Sequence, residues 1–205
     1  DLLSVMLLDS AFIQESEWAR AQRQRARQPR ADAPALLYTV AQAQACLEQL
    51  QGTSYDEDVQ PHASVRCRFR DAGHILGSAI LEVWVSEMGR SRKLVFSGDL
   101  GQPGRPIVRD PTPIDSADVL VVESTYGNRL HRPLGETIDE LVFVIEDTLR
   151  RRQGNIIIPA FALGRTQELL HLLLDLCRRG KLPRLPVFVD PPLANKVAEI
   201  TWHHK

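Results

Sequence analysis

Three glycine-rich polar turns lie between residues 71 and 127: Asp71-Ala-Gly-His-Ile-Leu-Gly-Ser78, Phe96-Ser-Gly-Asp-Leu-Gly101 and Val121-Val-Glu-Ser-Thr-Tyr-Gly127. In each of them an apolar or alternating run leads to a histidine, an aspartate or a glutamate. A rigid scaffold often positions functional side chains on loops in this way. His74, Asp99 and Glu123 are therefore the candidate functional residues.

The residues around the first two turns predict a β-hairpin. Residues 65–70 alternate apolar side chains with arginine, the pattern of a half-buried strand with a basic outer face. Leu81–Val85 alternates in the same way, the chain turns near Gly89, and Lys93–Phe96 returns as the next strand. Because two antiparallel strands joined by a hairpin start and finish on one side, both polar turns are predicted at the same rim of a sheet.

The three candidate residues suit metal or acid–base chemistry, but each has an alternative. His74 and Asp99 together offer an imidazole and a carboxylate, which suit zinc or a similar divalent ion. A structural role for His74, and a turn in which Asp99 caps its own backbone, are the alternatives. Glu123 ends the apolar run Val119–Val122, which predicts a strand buried on both faces. A carboxylate there needs a metal, an arginine or a histidine as its partner.

The remaining chain alternates helices and strands. Helical patterns cover Leu134–Arg152, Gly164–Arg179 and Leu193–Ile200, and apolar strands are predicted at Asn155–Pro159 and Pro186–Asp190. This order predicts βα units on a parallel sheet. The loop before the second of these helices offers either a phosphate contact from Arg165 or a packing role for Phe161 and Leu163.

Two helices are predicted near the N-terminus. The first covers Ala11–Arg27 with Ser10 as its cap, and its core side carries Phe12, Ile13 and Trp18. The second follows a capping box at Thr39-Val-Ala-Gln42. The end of the first is either a solvated helix end or a phosphate-contacting arm, because five arginines follow one another there without an acid: Arg20, Arg23, Arg25, Arg27 and Arg30.

Bulk properties are those of an ordinary globular protein. The 205 residues suffice for one large or two small domains with a real core, and 43% are hydrophobic and 25% charged. The net charge of −1 gives no global attraction to nucleic acid or membrane. The three cysteines are widely spaced, which favours buried thiols in a reducing cytoplasm over disulfides or a thiolate zinc site. No apolar run approaches the ~20 residues that span a bilayer.

The three turns, taken together, resemble motifs of the metallo-β-lactamase-fold hydrolases. The first is similar to their third metal-binding motif, the second to their fourth, and the third to motif A of the β-CASP branch. Ile158-Pro-Ala-Phe-Ala-Leu-Gly-Arg-Thr-Gln-Glu168 resembles a segment early in the β-CASP domain. Val189-Asp-Pro-Pro-Leu-Ala194 resembles a later segment, with Pro191 where serine is usual.

This resemblance implies an α/β fold and an RNA-processing nuclease related to the messenger-RNA cleavage and polyadenylation endonuclease. Residues 1–130 are then the C-terminal-side portion of the metallo-β-lactamase αββα sandwich, and residues 131–205 a partial β-CASP domain. His74 is implied to ligate one zinc ion, Asp99 to bridge two, and Glu123 to orient a β-CASP histidine that protonates the leaving oxygen. RNA is the implied partner, with a homodimer or an RNA-processing complex as the assembly.

The sequence also departs from this family. Its upstream His-x-His-x-Asp-His segment is absent from these residues, as are the later β-CASP histidines. The chain is therefore expected to be a middle portion of an enzyme, inactive when isolated. Two rival functions stay open. One is a non-catalytic scaffold subunit of an RNA-processing complex, and the other is a metallo-hydrolase of small esters or thioesters.

Overall fold

The computed structural model describes residues 1–27 and 35–204 and forms two compact units. One unit comprises residues 1–53 and 191–205, and the other comprises residues 54–190. The first holds three helices, α1 (Leu2–Arg27), α2 (Val40–Leu47) and α5 (Pro192–His203). No helix in the described ranges combines the length and the apolar character needed to cross a membrane.

The first unit confirms one predicted helix start and corrects another. The capping box of α2 is present: the Thr39 hydroxyl accepts from Gln42 N–H at 3.2 Å, and Thr39 N–H donates to the Gln42 side chain at 2.9 Å. The cap predicted at Ser10 is wrong, because α1 already begins at Leu2. The Ser10 hydroxyl instead lies 2.8 Å from that of Tyr38.

Two further predictions concern α1: the side that faces the core and the role of its arginine-rich end. The predicted core side is wrong, because Phe12, Ile13 and Trp18 are exposed. Arg20, Arg23 and Arg25 are exposed too, which fits either reading of the arginine-rich end, while Arg30 lies outside the described residues.

The second unit is built on a five-stranded mixed sheet in the order β1-β2-β3-β4-β5. The first four strands are antiparallel neighbours, and β5 pairs parallel with β4. Their bounds are β1 Asp58–His62, β2 Val65–Asp71, β3 Ala79–Glu87, β4 Arg90–Phe96 and β5 Val119–Val121. The predicted hairpin is confirmed, and β3 and β4 meet at Met88 and Gly89, both with positive φ.

Two helices complete this unit, α3 (Leu134–Asp147) and α4 (Arg165–Arg178). A short π-helical turn, Thr148–Arg152, prolongs α3, and α4 ends before Gly180, whose positive φ of 71° closes it. An apolar cluster joins the two helices and the segment after α4, with Ile145, Leu176 and Leu182 at its centre. A second cluster under the sheet contains Ala72, Ile80 and Val95.

Three strand predictions in this unit are wrong. Val119–Val121 does form β5, but its side chains are exposed and not buried on both faces, because among the described residues only β4 lies beside it. Residues 155–159 and 186–190 form no strand. A strand requires a hydrogen-bonded neighbour, and no other described segment pairs with either run. The α/β class is nonetheless confirmed by the five-stranded sheet and the five α-helices of the described chain.

Candidate metal centre

Strand register brings the three polar turns to one rim of the sheet. Asp71, the last residue of β2, pairs with Ala79, the first of β3. Phe96, the last residue of β4, pairs with Val121, the last of β5. The turns that follow β2, β4 and β5 therefore leave the sheet on the same side, as predicted for the first two.

The turn that carries His74 is fixed at both ends by side chains within it. The hydroxyl of Ser78 accepts the backbone N–H of His74 at 3.0 Å and that of Ile75 at 3.2 Å. At the other end, the Asp71 carboxylate accepts the N–H of Gly73 at 2.8 Å. The hydroxyl of Tyr55 donates to the Ser78 carbonyl at 2.8 Å. These bonds satisfy backbone groups that no strand partner can reach and so hold the turn in one shape.

Two glycines allow the first two turns to touch backbone to backbone. Gly101 N–H donates to the Ala72 carbonyl at 2.8 Å. A Cβ atom on Gly101 would lie only 1.7 Å from the carbonyl oxygen of Gly73. Only glycine fits such an approach, so Gly101 keeps the Asp99 turn against the His74 turn.

His74 and Asp99 face each other across this contact. Their Nε2 and Oδ2 atoms are 3.8 Å apart, and the side chains are 42% and 73% exposed. This separation is too long for a hydrogen bond. The alternative turn role of Asp99 is not seen: within the described ranges its carboxylate forms no hydrogen bond to the backbone.

Glu123 lies beside this pair and is held by backbone amides. Its carboxylate accepts Leu100 N–H at 2.7 Å and Thr125 N–H at 3.3 Å. The bond from Leu100, assisted by those from Thr125, lowers the pKa of the Glu123 carboxyl below its ordinary value. Among the described residues, the hydrogen-bond partners of the Glu123 carboxylate are N–H groups of the Asp99 turn and of its own turn, and a metal, arginine or histidine partner stays a prediction.

Ser97 ties the second turn to the third. Its side chain is buried, and its hydroxyl accepts Glu123 N–H at 3.1 Å and donates to the Gly98 carbonyl at 2.6 Å. Sequence reasoning missed the roles of Ser97, Ser78 and Gly101. The residues themselves are visible in the sequence: Ser78 lies four residues after His74, and Ser97 and Gly101 lie two residues before and after Asp99.

The His74 and Asp99 pair fits the donor set of a zinc ion. Two ligand atoms of a tetrahedral zinc ion, each about 2.0–2.2 Å from it, lie about 3.4 Å apart, so the separation of 3.8 Å is slightly longer than tetrahedral coordination requires and a small side-chain adjustment would seat one ion. Two side chains are fewer than the three that a zinc site takes from the protein. Among the described residues, no group of three or more His, Cys, Asp and Glu side chains is arranged to hold a metal.

The loop before α4 reaches this rim. A Cβ atom on Gly164 would lie 3.2 Å from the Cγ2 atom of Ile75, the neighbour of His74. The adjacent Arg165 is 55% exposed and contacts the Glu168 carboxylate at 3.1 Å. The packing role predicted for Phe161 is wrong, because that residue is 85% exposed. A phosphate contact from Arg165 stays a prediction.

Comparison with known proteins finds relatives that include ribonucleases and a cleavage and polyadenylation factor subunit. The chain is 41% identical over 132 residues to "Ribonuclease TTHA0252" of Thermus thermophilus, which covers 64% of this chain and 29% of the relative. It is 34% identical over 164 residues to an RNase J-like protein of Methanocaldococcus jannaschii, covering 78% of this chain and 38% of the relative. It is 31% identical over 164 residues to cleavage and polyadenylation specificity factor subunit 3 of Dictyostelium discoideum, covering 78% of this chain and 20% of the relative. No family model matches the chain.

Together with the mixed α/β fold, these relatives define the class as metallo-β-lactamase-fold nucleases. Within that class, the chain belongs to the β-CASP family of RNA-processing nucleases. Nucleases of this family depend on metal ions. The chain spans 20–38% of the length of these three relatives.

Proposed function

We propose that the full-length protein is a zinc-dependent hydrolase that cleaves RNA phosphodiester bonds. The single observation that carries this proposal is the pair formed by His74 and Asp99, 3.8 Å apart at the rim where Glu123 also lies. The proposal is supported by relatives whose names identify them as ribonucleases, including the Thermus and Methanocaldococcus proteins.

In this proposal each of the three residues has one task. His74 and Asp99 hold the metal, with Asp99 as the ligand shared by two zinc ions. When bound, two zinc ions supply a nucleophile at neutral pH and stabilise charge on the attacking and leaving oxygens. Glu123, held ionised by the N–H groups of Leu100 and Thr125, orients a histidine that gives a proton to the leaving oxygen. The bond from Leu100 couples the position of Glu123 to the turn that carries Asp99.

The wider setting is part of the same proposal. We place the boundary between the metallo-β-lactamase core and the β-CASP domain near residue 130. The protein acts as a homodimer or within an RNA-processing complex, and it works in the cytoplasm. The last point is supported by Cys46, Cys67 and Cys177, which are all free thiols, although Cys46 is exposed and the other two are half-buried, so the prediction that they are buried is wrong.

A substrate comparison tests the proposal against its two rivals. The full-length protein is incubated with an end-labelled single-stranded RNA, with bis(p-nitrophenyl) phosphate and with a small carboxylic ester or thioester. We expect RNA to be cleaved at a kcat/KM at least about 10²-fold above that for either small substrate, because binding energy from the rest of the RNA is used in the transition state. Hydrolysis of the ester with intact RNA would favour the small-ester enzyme. Failure with every substrate by a zinc-loaded protein would favour the scaffold.

A further inference from the structure

A concentration of positive charge lies where α3 and α4 end, away from the metal site. We call it the basic end and define it by Arg150–Arg152 after α3 and by Arg178, Arg179, Lys181 and Arg184 at and after α4. Residues 146–152 and 175–184 contain these seven basic side chains and three acidic ones, a net charge of +4. The whole chain carries −1, so the charge of this protein is strongly asymmetric.

Packing between the helices brings the two halves of the basic end together. Ile145 in the last turn of α3, Leu176 in the last turn of α4 and Leu182 just beyond it form one buried cluster. After α4 the chain folds back, with the N–H groups of Lys181 and Leu182 both donating to the Leu176 carbonyl. Both helices therefore present their C-terminal ends on the same side of this packed pair.

Helix electrostatics explains some of these cations but not all of them. Cations favour helix C-termini, and acids four residues earlier on a helix stabilise them. Arg150, Arg151 and Arg179 have acidic partners four residues earlier and Arg152 has one five residues earlier, although all four side chains remain 68–82% exposed. Lys181 and Arg184 lie beyond the end of α4, are exposed, and form no ion pair with any described residue. These two charges therefore add to the basic end without being offset by an acidic partner among the described residues.

We infer that the basic end binds the phosphate backbone of RNA on one side of the cleaved bond. This inference rests on the proposed function and adds a second contact to it. A helix rises 1.5 Å per residue, so the 14 residues of α4 separate its two ends by about 21 Å. At its start, Gly164 approaches Ile75 next to His74. The basic end therefore contacts nucleotides that flank the scissile phosphate, and a very short RNA does not reach it.

Binding of a long and a short RNA by matched double variants tests this inference. The test variant of the full-length protein is Lys181→Gln/Arg184→Gln. The control, Arg90→Gln/Arg92→Gln, also removes two exposed cations that form no ion pair within the described residues. Affinity is measured by fluorescence anisotropy in a chelator, which prevents metal-dependent cleavage, over a range of salt concentrations. The probes are single-stranded RNAs of about 4 and about 25 nucleotides.

For the long RNA, we expect the test variant to bind about 3- to 10-fold more weakly near 0.1 M salt. The slope of log K against log salt concentration should become shallower by roughly 0.7 for each lost phosphate contact. The short RNA and the control variant should bind like the unmodified protein. Unchanged binding of the long RNA, or equal weakening of both RNAs, would overturn the inference. The binding measurement does not depend on cleavage. If the protein binds long RNA through the basic end but never cleaves RNA, the proposed function is wrong and this inference still holds.

Discussion

Replacing Asp99 with alanine is expected to abolish RNA cleavage by the full-length protein. The substitution removes the carboxylate that faces His74 at 3.8 Å and that we propose as the ligand shared by two zinc ions. We expect kcat/KM to fall on the order of 10³-fold or more, equivalent to about 4 kcal/mol of transition-state stabilisation. Bound zinc, measured by elemental analysis, should fall in the same variant.

Asp139→Ala is the matched control for this substitution. Asp139 is an exposed aspartate on α3, in the same compact unit, and its removal deletes one carboxylate outside the three turns. It should leave both cleavage and zinc content unchanged. Near-normal turnover by Asp99→Ala, with zinc content preserved, would contradict the role assigned to Asp99.

Gly101→Ala is expected to have the largest effect of any small substitution on the stability of the site. The new Cβ atom would lie 1.7 Å from the Gly73 carbonyl oxygen and 2.7 Å from the backbone nitrogen of His74. Both contacts involve backbone, so relief requires the two turns to separate. We expect the free energy of unfolding to fall by about 3 kcal/mol, at the upper end for overpacking by one methyl group. Urea unfolding measures this loss, and zinc content should fall with it because His74 and Asp99 move apart.

Gly135→Ala adds the same methyl group in open space. No atom lies within 4 Å of a Cβ built at Gly135, and the residue lies near the start of α3, where alanine is a better helix former than glycine. This control should be neutral or slightly stabilising. A Gly101→Ala protein as stable as the control would show that the two turns are not held together by this contact.

Local sequence patterns were sufficient to predict the rim that holds the candidate site. Alternation along residues 65–70 and 81–85 predicts two strands. The hairpin near Gly89 then returns the next strand, residues 93–96, to the side on which residues 81–85 begin. The placement of the His74 and Asp99 turns at one rim follows from this topology alone. The separation of 3.8 Å between His74 and Asp99 does not, because it depends on how closely Gly101 approaches Gly73.

Features that depend on distant partners could not be predicted in the same way. The apolar run at residues 119–122 has the composition of a central strand, yet β5 lies at the edge of the described sheet. Residues 155–159 have strand composition without a strand partner among the described residues. Glu123 accepts one of its hydrogen bonds from the N–H group of Leu100, 23 residues away in the chain. Because every residue except proline has a backbone N–H group, the residue type does not reveal such a donor.

The first helix shows a different limit of sequence reasoning. Ser10 has the residue type of an N-cap, but leucine-rich residues before it continue the helix back to Leu2. Intrinsic preference for a cap is worth only about 1 kcal/mol, which a longer run of helix-forming residues readily overcomes. The capping box at Thr39 was more reliable because two reciprocal bonds, from Thr39 and from Gln42, specify the same start.

The most direct test of the central claim is RNA cleavage by the full-length protein before and after its metal is removed. The protein is stripped with a chelator, dialysed, shown to be metal-free by elemental analysis and checked for an unchanged circular dichroism spectrum. We predict that cleavage of single-stranded RNA is lost on stripping and returns when zinc is added, because we propose that His74 and Asp99 hold the metal that supplies the nucleophile. Undiminished cleavage by the metal-free protein would contradict the account.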